Sequence, residues 1–265
     1  MNSKHFPSGG GEPTVVITQV TQAQWHATKD DRVVGRGDAS SRPDGRIFLS
    51  IDSWHDAVFD QLAHAMLTDL ATPLYTVVDE TDVDLISSWE RVGFTPRRRE
   101  WEYLVRTDPR ITGLDATPPP PGTTIVAGGN AEQGPLRALD QAIRLEVEAT
   151  VGWQQMPAEV LPCPSGNTPL DLSKYVVAAQ PDRYVGLVRV MVRRHWARIG
   201  LIAVRADQHR RGIARALLAH TLGALHHRGI DTASTEVNES NTAATALFEG
   251  IGARRASSNL ELVLR

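Results

Sequence analysis

A buried strand, a basic turn and a helix, taken together, decide how this chain is interpreted. Residues Leu201 to Leu218 read LIAVRADQHRRGIARALL, in which four apolar residues precede the turn HRRG at 209–212 and an amphipathic helix. Gly212 has no Cβ, so a ligand can approach its backbone closely. The free N–H groups and the dipole of a helix's first turn favour an anion such as a pyrophosphate. Arg210 and Arg211 add positive charge, and the segment therefore predicts a pyrophosphate site.

This segment resembles the acetyl-CoA loop of the GNAT superfamily of N-acetyltransferases. In that family Gln/Arg-x-x-Gly-x-Gly/Ala follows a strand that ends in a valine eight residues before the glycine, as Val204 stands before Gly212. His209 departs from the usual Gln or Arg, which weakens one side-chain contact and leaves the backbone site intact. The resemblance implies that acetyl-CoA is the co-substrate. The cofactor-binding residues it implies are Ile202, Ala203, Val204, His209, Arg210, Arg211, Gly212, Ile213, Ala214 and Arg215.

A second motif, NTAATALFEGIGA at 241–253, resembles the family pattern Asn-x-x-Ala-x-x-Leu-Tyr-x-x-x-Gly-Phe. Asn241 is predicted to cap a helix, and the resemblance implies that it also hydrogen-bonds the pantetheine arm of acetyl-CoA. Phe248 stands where many family members carry a tyrosine that protonates the departing CoA thiolate. A phenyl ring donates no proton. Either solvent or the product ammonium protonates the thiolate, or this copy is catalytically weak.

Acetylation of an ammonium group needs a proton acceptor. Glu236 lies five residues before Asn241 on a predicted strand, and it resembles the glutamate base of the ribosomal-protein alanine acetyltransferases of this superfamily. A carboxylate on a strand is costly unless exposed or paired, so an outward, solvated Glu236 is the alternative interpretation. Weaker candidates for the proton acceptor are Glu146, Glu148 and Asp171, and weak candidates for the acceptor pocket are Glu148 and Trp153.

An internal repeat divides the chain. Residues 75–82, YTVVDETD, align with 234–241, STEVNESN, and 89–94, WERVGF, align with 248–253, FEGIGA, at one constant spacing. The run TPPPPG at 117–122 favours an extended linker between the copies. We predict an α/β fold of two tandem GNAT-like mixed-sheet domains. The predicted parts are a flexible tail at 1–11, a domain at 12–116, a Pro-rich linker at 117–121 and a second domain at 122–265.

The N-terminal copy is predicted to be degenerate. Residues 51–60, IDSWHDAVFD, stand where the basic glycine loop belongs, and they contain three aspartates and no glycine. Like charges there repel a pyrophosphate. Asp82 and Trp89 replace the asparagine and the aromatic residue of the second copy. The two-domain layout also resembles that of two-lobed actinobacterial acyltransferases, mycothiol synthase among them. Only the repeated core matches, so their substrate is not implied.

Apolar periodicity predicts the remaining elements. Strands are expected at about 14–28, 32–38, 46–51, 74–78, 97–106, 123–127, 175–179, 183–193, 197–204 and 231–237, followed by a closing pair. Helices are expected at 55–70, 83–92, 135–151, 211–228 and 242–251, and a Pro/Gly/Ser-rich loop at 162–169.

Composition excludes several functional classes. Hydrophobic residues make up 41% and charged residues 22%, and no apolar run is long enough to span a bilayer. A net charge of −3 argues against nucleic acid as the main partner. A single cysteine, Cys163, cannot form an internal disulfide, and no Cys/His cluster has metal-site spacing. We expect a cytoplasmic protein with no metal and no membrane partner, and the oligomeric state is open.

These features together predict an acetyl-CoA-dependent N-acetyltransferase. It would transfer the acetyl group directly to a primary amine of a small molecule or peptide. The alternative is a non-catalytic acyl-CoA-binding or regulatory protein of the same fold, motivated by Phe248 and by the degenerate first copy.

Overall fold

The computed structural model describes residues 15–42, 45–115, 117–150, 152 and 171–265. The strands are β1 (Val16–Thr21), β2 (Gln24–Lys29), β3 (Arg32–Ser41), β4 (Ile47–Ser53), β5 (Leu74–Asp79), β6 (Thr95–Arg106), β7 (Thr124–Val126), β8 (Tyr175–Ala179), β9 (Tyr184–Arg193), β10 (Trp196–Val204), β11 (Thr232–Asn238) and β12 (Arg254–Leu264). The helices are α1 (Asp56–Asp69), α2 (Val83–Arg91), α3 (Pro109–Thr112), α4 (Gln133–Thr150), α5 (Ile213–His227) and α6 (Thr242–Glu249). Within the described part of the chain, no helix combines the length and the apolar character that a membrane crossing requires.

The chain forms two compact units. Unit 1 contains the residues up to Val78, Asp82–Arg97 and Glu261–Arg265, and unit 2 contains Asp79–Thr81 and Arg98–Leu260. The proline run at 118–121 lies inside unit 2, so the compact units do not divide at the predicted linker. The domain boundaries given above remain a prediction.

Unit 1 is a mixed sheet with α1 packed on one face. Strands β1 to β4 are antiparallel neighbours, and β5 runs parallel to β4. Two glycines on β3 allow α1 to approach, since a Cβ at Gly35 would stand 2.8 Å from Val58 Cγ1. The largest buried side chains of this unit include Trp25, Leu62 and Trp89. The core thus lies between α1, α2 and the sheet.

Unit 2 is a mixed sheet covered on both faces. Its strands follow the order β6-β11-β10-β9-β8-β7, with β10 and β11 parallel and the other pairs antiparallel. Helices α5 and α6 contribute to one core cluster, which includes Val188, and α4 contributes to another, which includes Leu187. Adjacent residues of a strand point to opposite faces. The helix α4 therefore covers the face opposite to α5.

The sequence repeat recurs as a repeated cap. Asp82 Oδ1 accepts a hydrogen bond from Leu85 N at 3.0 Å at the start of α2. Asn241 Oδ1 accepts one from Ala244 N, also at 3.0 Å, at the start of α6. Each donor lies three residues after the cap, so the aligned positions have the same local structure.

Two predictions about strands were wrong. Residues 14–28 were expected as one strand, whereas β1 and β2 form a hairpin whose turn follows Thr21 and lacks the usual Gly, Pro or Asn. The closing pair of strands is the single strand β12. Its Ser257 and Ser258 resemble turn residues, but their hydroxyls donate to Glu102 and Glu80 within unit 2. The predicted loop at 162–169 lies outside the described residues.

Candidate functional site

The parallel strands β10 and β11 separate halfway along their length. Their pairing covers three positions and ends at Ile199 and Thr235, where Thr235 Oγ1 donates to the Ile199 carbonyl at 3.0 Å. Next to this point β10 shifts register against β9 around Gly200, which is a β-bulge. A cleft therefore opens between β10 and β11 toward their carboxyl ends.

The backbone of Ile202 and Val204 faces this cleft. On the other edge of β10, Arg205 N donates to Val185 O at 2.9 Å. Hydrogen-bonded pairs alternate along an antiparallel ladder, so Ala203 bonds to β9 as well. The N–H and C=O groups of Ile202 and the N–H group of Val204 then point to the other side, and the Val204 carbonyl contacts His209 Nε2 at 2.8 Å. Such an open strand edge binds an extended ligand that carries amide groups.

The turn before α5 has the geometry of an anion site. Gly212 has φ +85° and Arg210 has φ +62°. A Cβ at Gly212 would meet only Pro120 Cγ, at 4.0 Å, within the distance of ordinary contact. The first helical bond of α5 runs from Ala216 N to Gly212 O, so the N–H groups before Ala216 are available to a ligand. Arg210 and Arg211 are exposed on this turn.

Four side chains hold the start of this turn in place. Glu146 on α4 binds Arg205 Nε with Oε1 at 2.6 Å and Ala206 N with Oε2 at 2.9 Å. Arg183 donates to Asp207 at 2.6 Å, and this hydrogen bond lowers the pKa of Asp207. The turn is thus anchored before any ligand binds. Glu146, a weaker candidate for the proton acceptor, has both carboxylate oxygens engaged by this turn.

Glu236 is in an ion pair on β11. Its Oε2 lies 2.7 Å from Arg198 Nη2, and the two side chains are 21% and 18% exposed. Arg198 is the register partner of Ser234, so the pair runs diagonally across two parallel strands on one face. The guanidinium fixes the position of the carboxylate on this face. The arrangement can accept a proton from a group that reaches this face.

Asn241 and Phe248 lie on α6. The predicted capping role of Asn241 is confirmed by its bond to Ala244 N. Phe248 is 1% exposed in the core of unit 2, where its ring stacks on Tyr103 with centroids 6.3 Å apart. The Tyr103 hydroxyl donates to Glu249 at 3.0 Å, so it is engaged in a separate network and does not supply the missing phenol.

The remaining predicted residues are distributed as follows. His209 Nε2 is 2.8 Å from the Val204 carbonyl, and Ile213 is 2% exposed and packs in the core of unit 2. Glu148 is exposed on α4. Trp153 lies outside the described residues. Ser173 and Lys174 bind the carboxylate of Asp171 and lower its pKa.

Three further residues contribute to the site although no signal in the sequence marked them. They are Arg183, Asp207 and Arg198.

The residues that the structure describes in unit 1 form no counterpart of the basic turn. Its helix α1 begins at Asp56, and the N-cap His55 makes no side-chain capping bond. Trp54 is 89% exposed just before it. Across the described ranges of the whole chain, no three His, Cys, Asp or Glu side chains are arranged to hold a metal ion.

Comparison with known proteins shows similarity to one family over this site. Residues 143–253 match the model of the acetyltransferase (GNAT) family. A stretch of 56 residues, 21% of this chain, is 46% identical to the [Ribosomal protein bS18]-alanine N-acetyltransferase of Escherichia coli (strain K12). The match covers 38% of that relative, so the chain spans less than half the length of the curated relatives it matches.

Solved structures share the fold over almost the whole chain. A GCN5-related N-acetyltransferase from Sphaerobacter thermophilus has a TM-score of 0.64 and 16% identity, covering 93% of this chain and 82% of that chain. A tandem GNAT protein from the clavulanic acid biosynthesis pathway has a TM-score of 0.64 and 14% identity, covering 91% and 82%. At these identities the likeness shows the fold alone, which is that of tandem GNAT proteins.

Proposed function

We infer that this chain is a GNAT acetyltransferase, to which it is similar in sequence and fold, and that it transfers the acetyl group of acetyl-CoA to a primary amine. One observation carries the inference. The cleft between β10 and β11 opens toward the carboxyl end of β10, where the chain continues into the turn at 209–212. An open strand edge followed by a helix N-terminus suits a ligand with an amide-containing arm and a pyrophosphate.

The residues of the cleft and the turn fit acetyl-CoA. The backbone of Ile202 and Val204 would bind the pantetheine arm and polarise the thioester carbonyl. The amides of 212–215 and the side chains of Arg210 and Arg211 would bind the pyrophosphate, where Gly212 leaves open space. Acetyl-CoA supplies an activated acetyl group when bound. The anchoring of the turn by Glu146 keeps these donors in position without a further ordering cost.

Glu236 is proposed to accept the proton that the acceptor ammonium loses. Arg198 fixes the position of Oε2. The partial exposure of both side chains leaves the pair open to a substrate or to a water that relays the proton.

The proton for the departing thiolate comes from elsewhere. Phe248 is buried and cannot donate one. Solvent or the ammonium of the product is therefore proposed to protonate the thiolate.

The acceptor is proposed as a primary amine of a small molecule or of a peptide N-terminus. A peptide acceptor is supported by the partial identity to an enzyme named for the alanine of a ribosomal protein.

Two measurements test the proposal. Calorimetric titration should show CoA binding, and a thiol assay should show CoA release when acetyl-CoA and a suitable amine are both present. A second candidate, a non-catalytic acyl-CoA-binding protein, is favoured by the buried Phe248. Both candidates expect CoA to raise the melting temperature by mass action. Only the enzyme releases CoA thiol. If the protein binds CoA and releases no thiol with any of a broad panel of amines, the second candidate is correct.

A further inference from the structure

A cavity of about 460 Å³ lies in unit 2 along β6, β10 and β11. The side chains that give it chemical character are Glu102, His195, Trp196, Asp231 and Ser234. Its volume suits a small organic ligand. The site described above does not use this cavity.

The cavity adjoins the Arg198–Glu236 pair. Glu102, which lines it, is the cross-strand partner of Glu236, and cross-strand partners point to the same face. Ser234, which also lines it, is the register partner of Arg198 and lies two residues before Glu236. The cavity therefore extends from the pair toward the amino ends of β10 and β11. The cleft opens from the same region toward their carboxyl ends.

Ser234 places a hydroxyl at the wall of the cavity. The residue is 5% exposed and lines the cavity, and a serine hydroxyl can both donate and accept a hydrogen bond. It can therefore bind a polar group of a ligand there.

The lining favours a positively charged ligand. Among the residues that line the cavity, Glu102 and Asp231 are carboxylates, and none is a lysine or arginine. The Ser257 hydroxyl donates to Glu102 Oε2 at 2.6 Å and orients that carboxylate toward a fixed position. Trp196 is 44% exposed, so its indole can lie against an ammonium group.

We propose that this cavity binds the acceptor and selects amines with a second positive charge, of which a short aliphatic diamine is the simplest. The reacting amine lies beside Glu236 and its cross-strand partner Glu102. The second ammonium lies toward Asp231 and Trp196, at the other end of the cavity. The inference rests on the proposed acetyl transfer, since it assigns the acceptor of that same site.

The test compares three acceptors of equal length in the full chain with CoA bound. The probes are 1,4-diaminobutane, 4-aminobutan-1-ol and 4-aminobutanoate, which differ in the charge of the distal group. Calorimetry at low ionic strength, about 20 mM, limits screening of charges. We expect the diamine to bind at least about tenfold more tightly than the amino alcohol, and the aminobutanoate to bind most weakly. Equal affinities, a preference for the aminobutanoate or no binding of the diamine would overturn the proposal.

Matched variants locate the binding. Asp231→Asn and Trp196→Ala should each weaken diamine binding by about threefold or more and leave the amino alcohol unchanged. Asp84→Asn and Trp54→Ala alter an exposed aspartate and an exposed tryptophan of unit 1, and both should bind the diamine as the wild type does. Wild-type diamine affinity in Asp231→Asn and Trp196→Ala would place the second charge elsewhere.

Turnover separates this inference from the proposed function. If the diamine binds through Asp231 and no thiol is released with any amine, the proposed acetyl transfer fails and the assignment of the cavity stands. If thiol release is faster with 4-aminobutan-1-ol or 4-aminobutanoate than with the diamine, acetyl transfer stands and the proposed selectivity is wrong.

Discussion

Arg198 Nη2 lies 2.7 Å from Glu236 Oε2, and the two residues come from neighbouring parallel strands of unit 2. Glu236 is thus a paired carboxylate that keeps about a fifth of its side chain exposed. A paired and partly exposed acid is neither inert core nor free surface. Its role can be tested by changing either partner.

Replacement of the carboxylate is the first test. Glu236→Gln keeps the shape and removes the proton acceptor, so turnover should fall by about 10²-fold while acetyl-CoA affinity is unchanged. Activity should recover in part at high pH, where the acceptor amine is already free. Steady-state thiol release across the pH range measures this, with the exposed Glu90→Gln as control. If Glu236→Gln keeps wild-type turnover at every pH, the assignment of Glu236 as proton acceptor is wrong, and a water chain or Glu148 becomes the leading candidate.

Replacement of the guanidinium is the second test. Arg198→Met removes the guanidinium that fixes the position of Glu236 Oε2, so turnover should fall while acetyl-CoA affinity, measured by calorimetry, is unchanged. Arg198→Lys keeps a positive charge and should lower turnover less. Equal turnover in wild type, Arg198→Met and Arg198→Lys would show that Arg198 does not act through Glu236.

The third prediction concerns Gly212. Gly212→Asp places a Cβ and a negative charge in the space above the first turn of α5, so acetyl-CoA affinity should fall more than about tenfold, or 1.4 kcal/mol. Gly252→Asp is the matched control, because Gly252 also has positive φ and open space around it. It carries the same backbone strain away from the cleft. Calorimetry that finds unchanged affinity in a folded Gly212→Asp would place the cofactor elsewhere.

The fourth prediction concerns stability. Arg99 donates to both carboxylate oxygens of Glu80, Ser258 donates to Oε2, and these bonds lower the pKa of Glu80. Because the pKa of Glu80 is lower in the folded state than in the unfolded state, the ionised carboxylate stabilises the folded state at pH values above the unfolded-state pKa. This stabilisation is lost as the pH falls through the folded-state pKa. Glu80→Gln should therefore lower the free energy of unfolding by about 1 kcal/mol or less at neutral pH. The difference should vanish in acid.

Urea unfolding of wild type and Glu80→Gln at several pH values, from about pH 7 down to about pH 3, measures this difference. Glu90→Gln, an exposed glutamate on α2, is the matched control and should show no such pH dependence. A constant difference between wild type and Glu80→Gln over the whole range would contradict the assignment.

Local chemistry made the turn before α5 predictable. The helix was expected to start near Arg211, and α5 starts at Ile213 after a Gly212 in the left-handed region. The cap at Asn241 was predictable for the same reason, because the bond it makes spans only three residues. Helix starts depend on neighbouring residues, so a single sequence contains the needed signal.

Pairs that depend on strand register were not predictable. The contact between Arg198 and Glu236 requires the parallel alignment of β10 with β11. Glu146 anchors Arg205 from 59 residues away, so no local motif marks it. Ser257 and Ser258 also led to a wrong prediction. Serines are common in turns, so two closing strands were expected, but these two side chains donate to glutamates on other elements within the single strand β12. These roles follow from tertiary contacts, which propensity does not report.

The division of β12 between the two units has a consequence for synthesis on the ribosome. Glu261, 3% exposed, forms an ion pair with Arg97, 164 residues earlier, and lies 3.7 Å from Arg46. Leu262 and Val263 are buried as well. Unit 1 is therefore incomplete until all of unit 2 has been translated, although most of its residues emerge first. Such distant contacts slow folding. The nascent first unit should accordingly need protection from aggregation until residue 261 is available.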